Sequence, residues 1–319
     1  MPNLKTITYQ PTFIFKQRHL NTIYPALFRS VKIKYQRERF ELPDGDFIDL
    51  DWSKVGSTNM ILALHGLEGS SESNYIKGMI RRFNREGWDG AALNFRGCSG
   101  ESNRLLRTYH SGVTEDVDTL LQSIFQKYNY KKIVLIGFSL GGNVALKYIG
   151  ERGTEIDERI KHGIGISVPC DLAGSCLEIH QPHNFIYLNR FLSSLKKKAK
   201  TKTEFSNQFD LERVLSSKDF HDFDNAFTAP VHGFKDAQDY YKKCNSKQFL
   251  SQVAIPSLLI NAKDDSFLSE SSYPYQEAEM NSNFYLSTPD FGGHCGFVQF
   301  DTEGAYWSEN QAVEFVNQF

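Results

Sequence analysis

Short apolar runs alternate with amphipathic stretches along most of the chain. Met60-Ile-Leu-Ala-Leu64, Gly90-Ala-Ala-Leu-Asn94, Lys132 to Ile136 and Gly163 to Val168 are too short for buried helices and read as strands covered on both faces. Between them, Ile76, Met79, Ile80 and Phe83 recur at helical spacing within Tyr75 to Arg85. Two more helices are predicted, Val113 to Tyr128, with Thr114 as N-cap and Asp116 in its first turn, and about Gly141 to Arg152. Upstream, Val31 to Leu42 and Phe47 to Trp52 read as a hairpin joined by Pro43-Asp-Gly-Asp46. Strands resume at Pro256 to Asn261 and Asn283 to Ser287, and a helix over Tyr306 to Val316 closes the chain. This alternation predicts an α/β fold with a mostly parallel central sheet flanked by helices.

The rhythm breaks from 170 to 247. That stretch is rich in Lys, His, Asn and Phe and shows helical patterns, over Leu188 to Leu195 and Asp239 to Cys244, but no buried strand run. It reads as a helical cap inserted into one domain that spans 1–319. Within it, Lys196-Lys-Lys-Ala-Lys200 reads as a solvated helix face.

Composition narrows the function classes. With 319 residues, 40% of them hydrophobic, the chain buries a large core; 25 Phe and 15 Tyr fit that core and an apolar pocket within it. A formal charge of −2 gives no electrostatic case for nucleic acid. The five cysteines, an odd number without a framework, suit free thiols in a reducing compartment. There is no Cys-x-x-Cys, and Pro182 splits His180 from His183 with no matching carboxylate or cysteine cluster, so no metal is expected. The first thirty residues lack the apolar core of a signal peptide. No run approaches the roughly 18 apolar residues of a membrane span. A soluble, cytoplasmic protein is expected, with protein partners unknown.

The chemistry centres on Gly137-Phe-Ser-Leu-Gly141, a glycine-flanked serine between a strand and a helix. A serine hydroxyl is a weak nucleophile and needs an adjacent base, which needs an orienting acid. A serine on a strand-to-helix turn resembles the α/β-hydrolase arrangement, in which the partners follow in the order acid, then histidine. The turn after the strand at 256–261 carries Asp264 and Asp265. Asp265, next to the apolar Phe267-Leu268, is the expected acid, with Asp264 as the alternative. His294, in Gly292-Gly-His-Cys-Gly296, is the single histidine beyond Asp265 and is the expected base. Fixed donors for a developing oxyanion are expected from the backbone N–H of Leu140, after the serine, and of Leu67, in the His65-Gly-Leu-Glu-Gly69 loop.

Taken together, ELPDGDFIDLDW, LHGLEGSSESNY, NFRGCSGESNR, YHSGVTEDV, GFSLGGN, NAKDDSF and GGHCGF occur in this order. In that, the chain resembles the YheT-like branch of the α/β-hydrolases, over about residues 15 to 300. That branch includes bacterial esterases, yeast medium-chain ester synthases/esterases and animal membrane-anchored lipid hydrolases. The resemblance implies a catalytic triad of Ser139, Asp265 and His294, an oxyanion loop at His65-Gly66-Leu67, no cofactor, and a short- to medium-chain acyl ester as substrate. An acyltransferase, a thioesterase or a lysophospholipase would use the same residues, and a binding module would keep the fold without the chemistry. Ser266 stands where the family often has proline. Arg96 and His110 belong to family hallmarks; Arg96 is expected to pair with Asp116 or to meet substrate.

Overall fold

A computed structural model describes residues 8–205 and 207–319. Residues 1–7, on which part of the signal-peptide expectation falls, lie outside the described residues. Helix α1 (Arg18–Phe28) precedes the hairpin of β1 (Gln36–Glu41) and β2 (Phe47–Ser53). Then follow β3 (Asn59–Leu64), α2 (Asn74–Arg85), β4 (Asp89–Asn94), α3 (Thr114–Lys127), β5 (Lys132–Phe138), α4 (Leu140–Arg152) and β6 (Ile160–Ile166). Among the described residues no strand lies between β6 and β7 (Ser257–Ile260). The intervening helices are α5 (Leu172–Ile179), α6 (Phe185–Lys200), α7 (Leu211–Ser216), α8 (Phe220–Phe223), α9 (Ala229–His232) and α10 (Ala237–Cys244). The chain ends with α11 (Tyr275–Met280), β8 (Phe284–Ser287) and α12 (Trp307–Gln318). All eight strands form one sheet in the order β1-β2-β4-β3-β5-β6-β7-β8. The pairs β1/β2 and β2/β4 are antiparallel, and the rest are parallel.

The continuous apolar runs are explained by burial on both faces. Met60, Leu62 and Leu64 of β3 pack with Ile133 and Leu135 of β5 against α3 and α4. Their alternates Ile61, Ala63, Val134 and Ile136 pack on the other face against α2 and α12. The helices between β6 and β7 have a core of their own, in which Leu188, Leu192, Val214 and Phe227 meet Phe267 of the sheet-side turn. Among the described residues no helix is long and apolar enough to cross a membrane.

Three local expectations change, one of them at the hairpin, where β1 opens at Gln36 rather than Val31. The N-cap of α3 is Val113, and Thr114 lies inside the helix, its hydroxyl drawn away to donate to Glu151 at 2.7 Å. The lysine run on α6 is only partly solvated. Lys196 donates to the Ser217 carbonyl at 2.6 Å, and Lys198 turns inward onto Glu68 at 2.7 Å.

Arg96 takes the structural option. Its guanidinium, 2% exposed, holds Asp116 with two bonds of 2.7 Å and reaches Asp44 at 2.7 Å and Asp46 at 3.2 Å. One side chain thus ties the β1–β2 turn and the loop after β4 to the start of α3. Because Asp116 is buried too, Arg96→Met leaves its carboxylate without the guanidinium, whereas Asp46 keeps the Phe47 and Arg104 N–H groups and the Asn103 amide. The expected loss is about 3–5 kcal/mol of stability in urea unfolding.

Candidate active site

Ser139 is the turn between β5 and α4. It takes φ 52° and ψ −119°, a left-handed conformation that costs a residue with a Cβ and that persists only where its surroundings enforce it. The surroundings are backbone. A Cβ on Gly137 would lie 2.2 Å from the Gly141 carbonyl oxygen, and one on Gly141 would lie 2.4 Å from that of Leu64. Glycine at both places lets the turn close and presses the start of α4 against the end of β3. The Ser139 N–H donates to Ile166 O at 2.8 Å, which anchors the turn to β6.

The other two predicted side chains converge on this serine. His294 Nε2 lies 2.9 Å from Ser139 Oγ. Its Nδ1 lies 2.9 and 3.1 Å from the two oxygens of Asp265. A carboxylate on Nδ1 assigns the proton there and leaves Nε2 free to accept the serine proton. Burial alone would push the imidazole pKa down. The charge of Asp265, with a smaller contribution from Cys295, outweighs it and holds the ring above its ordinary value. Asp264 points elsewhere and accepts the Gly293 N–H at 2.9 Å. Burial pushes this second carboxyl up to about 6, against the Gly293 bond and with the help of Asp265.

Several side chains to which the sequence assigned no role at the site hold this geometry. Thr22 of α1 accepts the His294 N–H at 2.9 Å. Ser167, after β6, accepts the Cys295 N–H at 2.8 Å. Phe267 stacks on the His294 ring at 4.2 Å between centroids. The segment RHLNTIYPALF carried a family likeness but no chemical signal for Thr22, because its partner lies 272 positions away.

The loop after β3 is equally constrained. His65 is fully buried; burial lowers its pKa to about 4, so the ring is neutral. Its Nε2 accepts the Phe95 N–H at 3.2 Å, so Nδ1 carries the proton and donates to Gly66 O at 2.7 Å. The same carbonyl accepts the Gly69 N–H at 3.0 Å. In a trans peptide the N–H points opposite to the C=O, so pinning the Gly66 carbonyl also aims the Leu67 N–H. The flanking N–H groups of Gly66 and Glu68 are taken by the hydroxyls of Tyr75 and Tyr109, at 3.1 and 2.8 Å. A Cβ on Gly66 would lie 3.1 Å from the Ser139 Cβ, so this loop abuts the serine. Leu140 is the first residue of α4, where a backbone N–H has no partner within the helix.

Ser139, Leu140, Leu67 and His294 open into one cavity with about 1080 Å³ of empty space, its mouth included. Leu172, Ile179, Phe191, Phe223 and Phe227 wall it from the helices between β6 and β7. All five cysteines are free. His180 meets Asp219 at 3.2 Å, whereas His183 lies beside His19 at 6.1 Å between ring centroids, so the two histidines face different partners. The one cluster of metal-ligand type among the described residues is Asp219, His221 and Asp222. There Asp219 and Asp222 already accept backbone N–H groups of their own turn.

Residues 59–301 match the family model of the alpha/beta hydrolase fold. The protein named Putative esterase YheT of Escherichia coli is 35% identical over 89% of this chain and 85% of its own length. The chain belongs to the α/β-hydrolase family, in its YheT-like branch. Phospholipase ABHD3 of Bos taurus is 29% identical over 92% of this chain and 74% of its own. Among solved structures, the Pyrococcus furiosus esterase Pf2001 superposes with a TM-score of 0.63 at 19% identity, covering 100% of this chain and 97% of that one. At that identity the likeness speaks for the α/β-hydrolase fold alone.

Proposed function

We propose that this α/β-hydrolase cleaves carboxylic esters through an acyl-serine intermediate, with Ser139, Asp265 and His294 as its triad. The observation that carries this reading is the unbroken line Ser139 Oγ, His294 Nε2, His294 Nδ1, Asp265, with steps of 2.9 Å and 2.9 Å. His294 takes the serine proton as Oγ attacks the ester carbonyl. Asp265 holds the tautomer and stabilises the imidazolium. The N–H groups of Leu67 and Leu140 meet the oxyanion, where each such donor contributes on the order of 3 kcal/mol to the transition state. The protonated His294 then gives its proton to the departing alcohol. A water deprotonated by the same ring releases the acid and frees Ser139.

The segment 170–247 serves in this reading as a cap within a single domain. The Phe and Leu side chains it turns into the cavity suit a short- to medium-chain acyl group. An alcohol in place of water would make the same acyl-serine a donor for ester synthesis, and a thioester or a lysophospholipid would meet the same nucleophile. The test is a series of p-nitrophenyl esters from acetyl to palmitoyl, run beside labelling with a fluorophosphonate. Covalent labelling at Ser139 and a rate maximum among short and medium chains are expected. A folded protein that resists labelling would end the serine-hydrolase reading, and a maximum at palmitoyl would end the chain-length assignment.

A further inference from the structure

Glu68 stands one residue beyond Leu67 and is itself left-handed, with φ 55°, so something must hold it there. Part of the grip comes from Tyr109. Its hydroxyl accepts the Glu68 N–H at 2.8 Å and donates to the Glu68 carboxylate at 2.8 Å, closing a ring around one residue. The Tyr109 ring is rooted in the core, stacked on Phe95 at 5.4 Å. The rest of the grip comes from α6. Lys198 donates to the carboxylate at 2.7 Å, and the Ser194 hydroxyl donates to its other oxygen. Ser194 and Lys198 are four residues apart and therefore share one helix face. The Glu68 side chain is 8% exposed, and Lys198 also reaches Cys98 Sγ at 3.1 Å. A single buried carboxylate is thus shared between the loop that aims the Leu67 N–H and a helix of the 170–247 segment.

We propose that Glu68 is a positioning residue for ester cleavage: through Lys198 and Ser194 it makes the aim of the Leu67 N–H depend on α6 being seated. This rests on the serine-hydrolase reading given above. With α6 in place, the carboxylate keeps Glu68 left-handed, the Gly69 N–H stays on the Gly66 carbonyl, and the peptide between Gly66 and Leu67 is fixed. With α6 lifted, Glu68 is left with Tyr109 alone and relaxes toward negative φ. The turn closed by Gly66 and Gly69 then loosens, and the donor loses its aim. Seating of the helix over the cavity and assembly of the oxyanion site become one event.

The test compares Glu68→Gln, Lys198→Met, Ser194→Ala and the Glu68→Gln/Lys198→Met pair. The readouts are kcat and KM on a soluble short-chain ester, and affinity for an alkylboronic acid whose serine adduct places an oxygen in the oxyanion site. Glu68→Gln is expected to lower kcat roughly 10- to 100-fold with KM within about twofold, and to weaken the boronic acid by a similar factor. Lys198→Met is expected to lose less, and the pair no more than Glu68→Gln alone, because both act through one contact. Lys198→Arg should restore most of the rate. Ser194→Ala, which removes only a hydroxyl, should lose rate severalfold at unchanged melting temperature, so the test survives misfolding of the charge variants. A raised KM with unchanged kcat, losses that multiply in the pair, or unchanged boronic acid affinity would each overturn the proposal. If wild-type Ser139 takes the fluorophosphonate while these variants keep full kcat, the positioning role alone fails. If wild type is not labelled, the reading beneath it fails.

Discussion

Ser139→Ala is expected to reduce kcat for a short-chain ester on the order of 10⁶-fold while the protein remains folded. The size follows from what is lost. Without Oγ there is no acyl-enzyme, and His294 has no nucleophile at 2.9 Å to deprotonate. What survives is acceleration of direct water attack by the oxyanion donors, on the order of 10³–10⁴ over the uncatalysed reaction. Stability should hold, since Ala keeps the Cβ that the left-handed turn already accommodates and removes one partly exposed hydroxyl. Stopped assays with protein at micromolar concentration would measure the residual rate. Hydrolysis at the wild-type rate would show that another group carries the chemistry.

Asp265→Asn is expected to cost about 10⁴-fold in kcat, while Asp264→Asn costs little. An amide at 265 can offer its NH₂ to Nδ1, which moves the ring proton to Nε2 and leaves no lone pair for the serine. Asp264 has no such leverage, because it bonds the Gly293 backbone rather than the ring. The pH profile separates the two variants further. In the proposed mechanism His294 acts only when neutral, so activity is expected above its pKa and is lost as pH falls through it. The Asp265 carboxylate raises that pKa above the ordinary histidine value, so the acid limb of kcat/KM in wild type should lie above about 6.5. Removing the carboxylate should move the limb downward, and Asp264→Asn should leave it within half a unit or so of wild type. Equal losses in the two variants, or an Asp265→Asn limb that moves up, would reverse the assignment of the acid.

The sheet was legible because its chemistry is local. Strands buried on both faces leave uninterrupted apolar runs, so β3, β4 and β5 fall within two residues of their expected ends. The hairpin start is less legible: 31–35 carries the alternating apolar residues of a strand but pairs with nothing as one, and β1 opens at Gln36. The glycines around Ser139 were legible because only a tight backbone approach needs them at that spacing. Thr22, Ser167 and the inward turn of Lys198 were not. Each is an ordinary residue whose meaning comes from a partner far away in the sequence, and a lysine among lysines gives no sign of which one finds a buried carboxylate. The five-residue π turn at Asp224–Thr228 was equally silent, since its spacing departs from the helical period that pattern reading relies on.

The attachment of α1 has a consequence for what counts as the working unit. The family match begins at residue 59, and a fragment cut there would still contain Ser139, Asp265, His294 and every parallel strand. It would lack the Thr22 hydroxyl on the His294 N–H and the Asn21 amide that accepts the Val298 N–H at 3.0 Å. The histidine loop would then be tethered chiefly by Asp264 and Ser167. A cut at residue 59 therefore removes contacts to the histidine loop that lie outside the family match. Helix α1 brings no reacting group of the proposed triad and holds the His294 loop from behind.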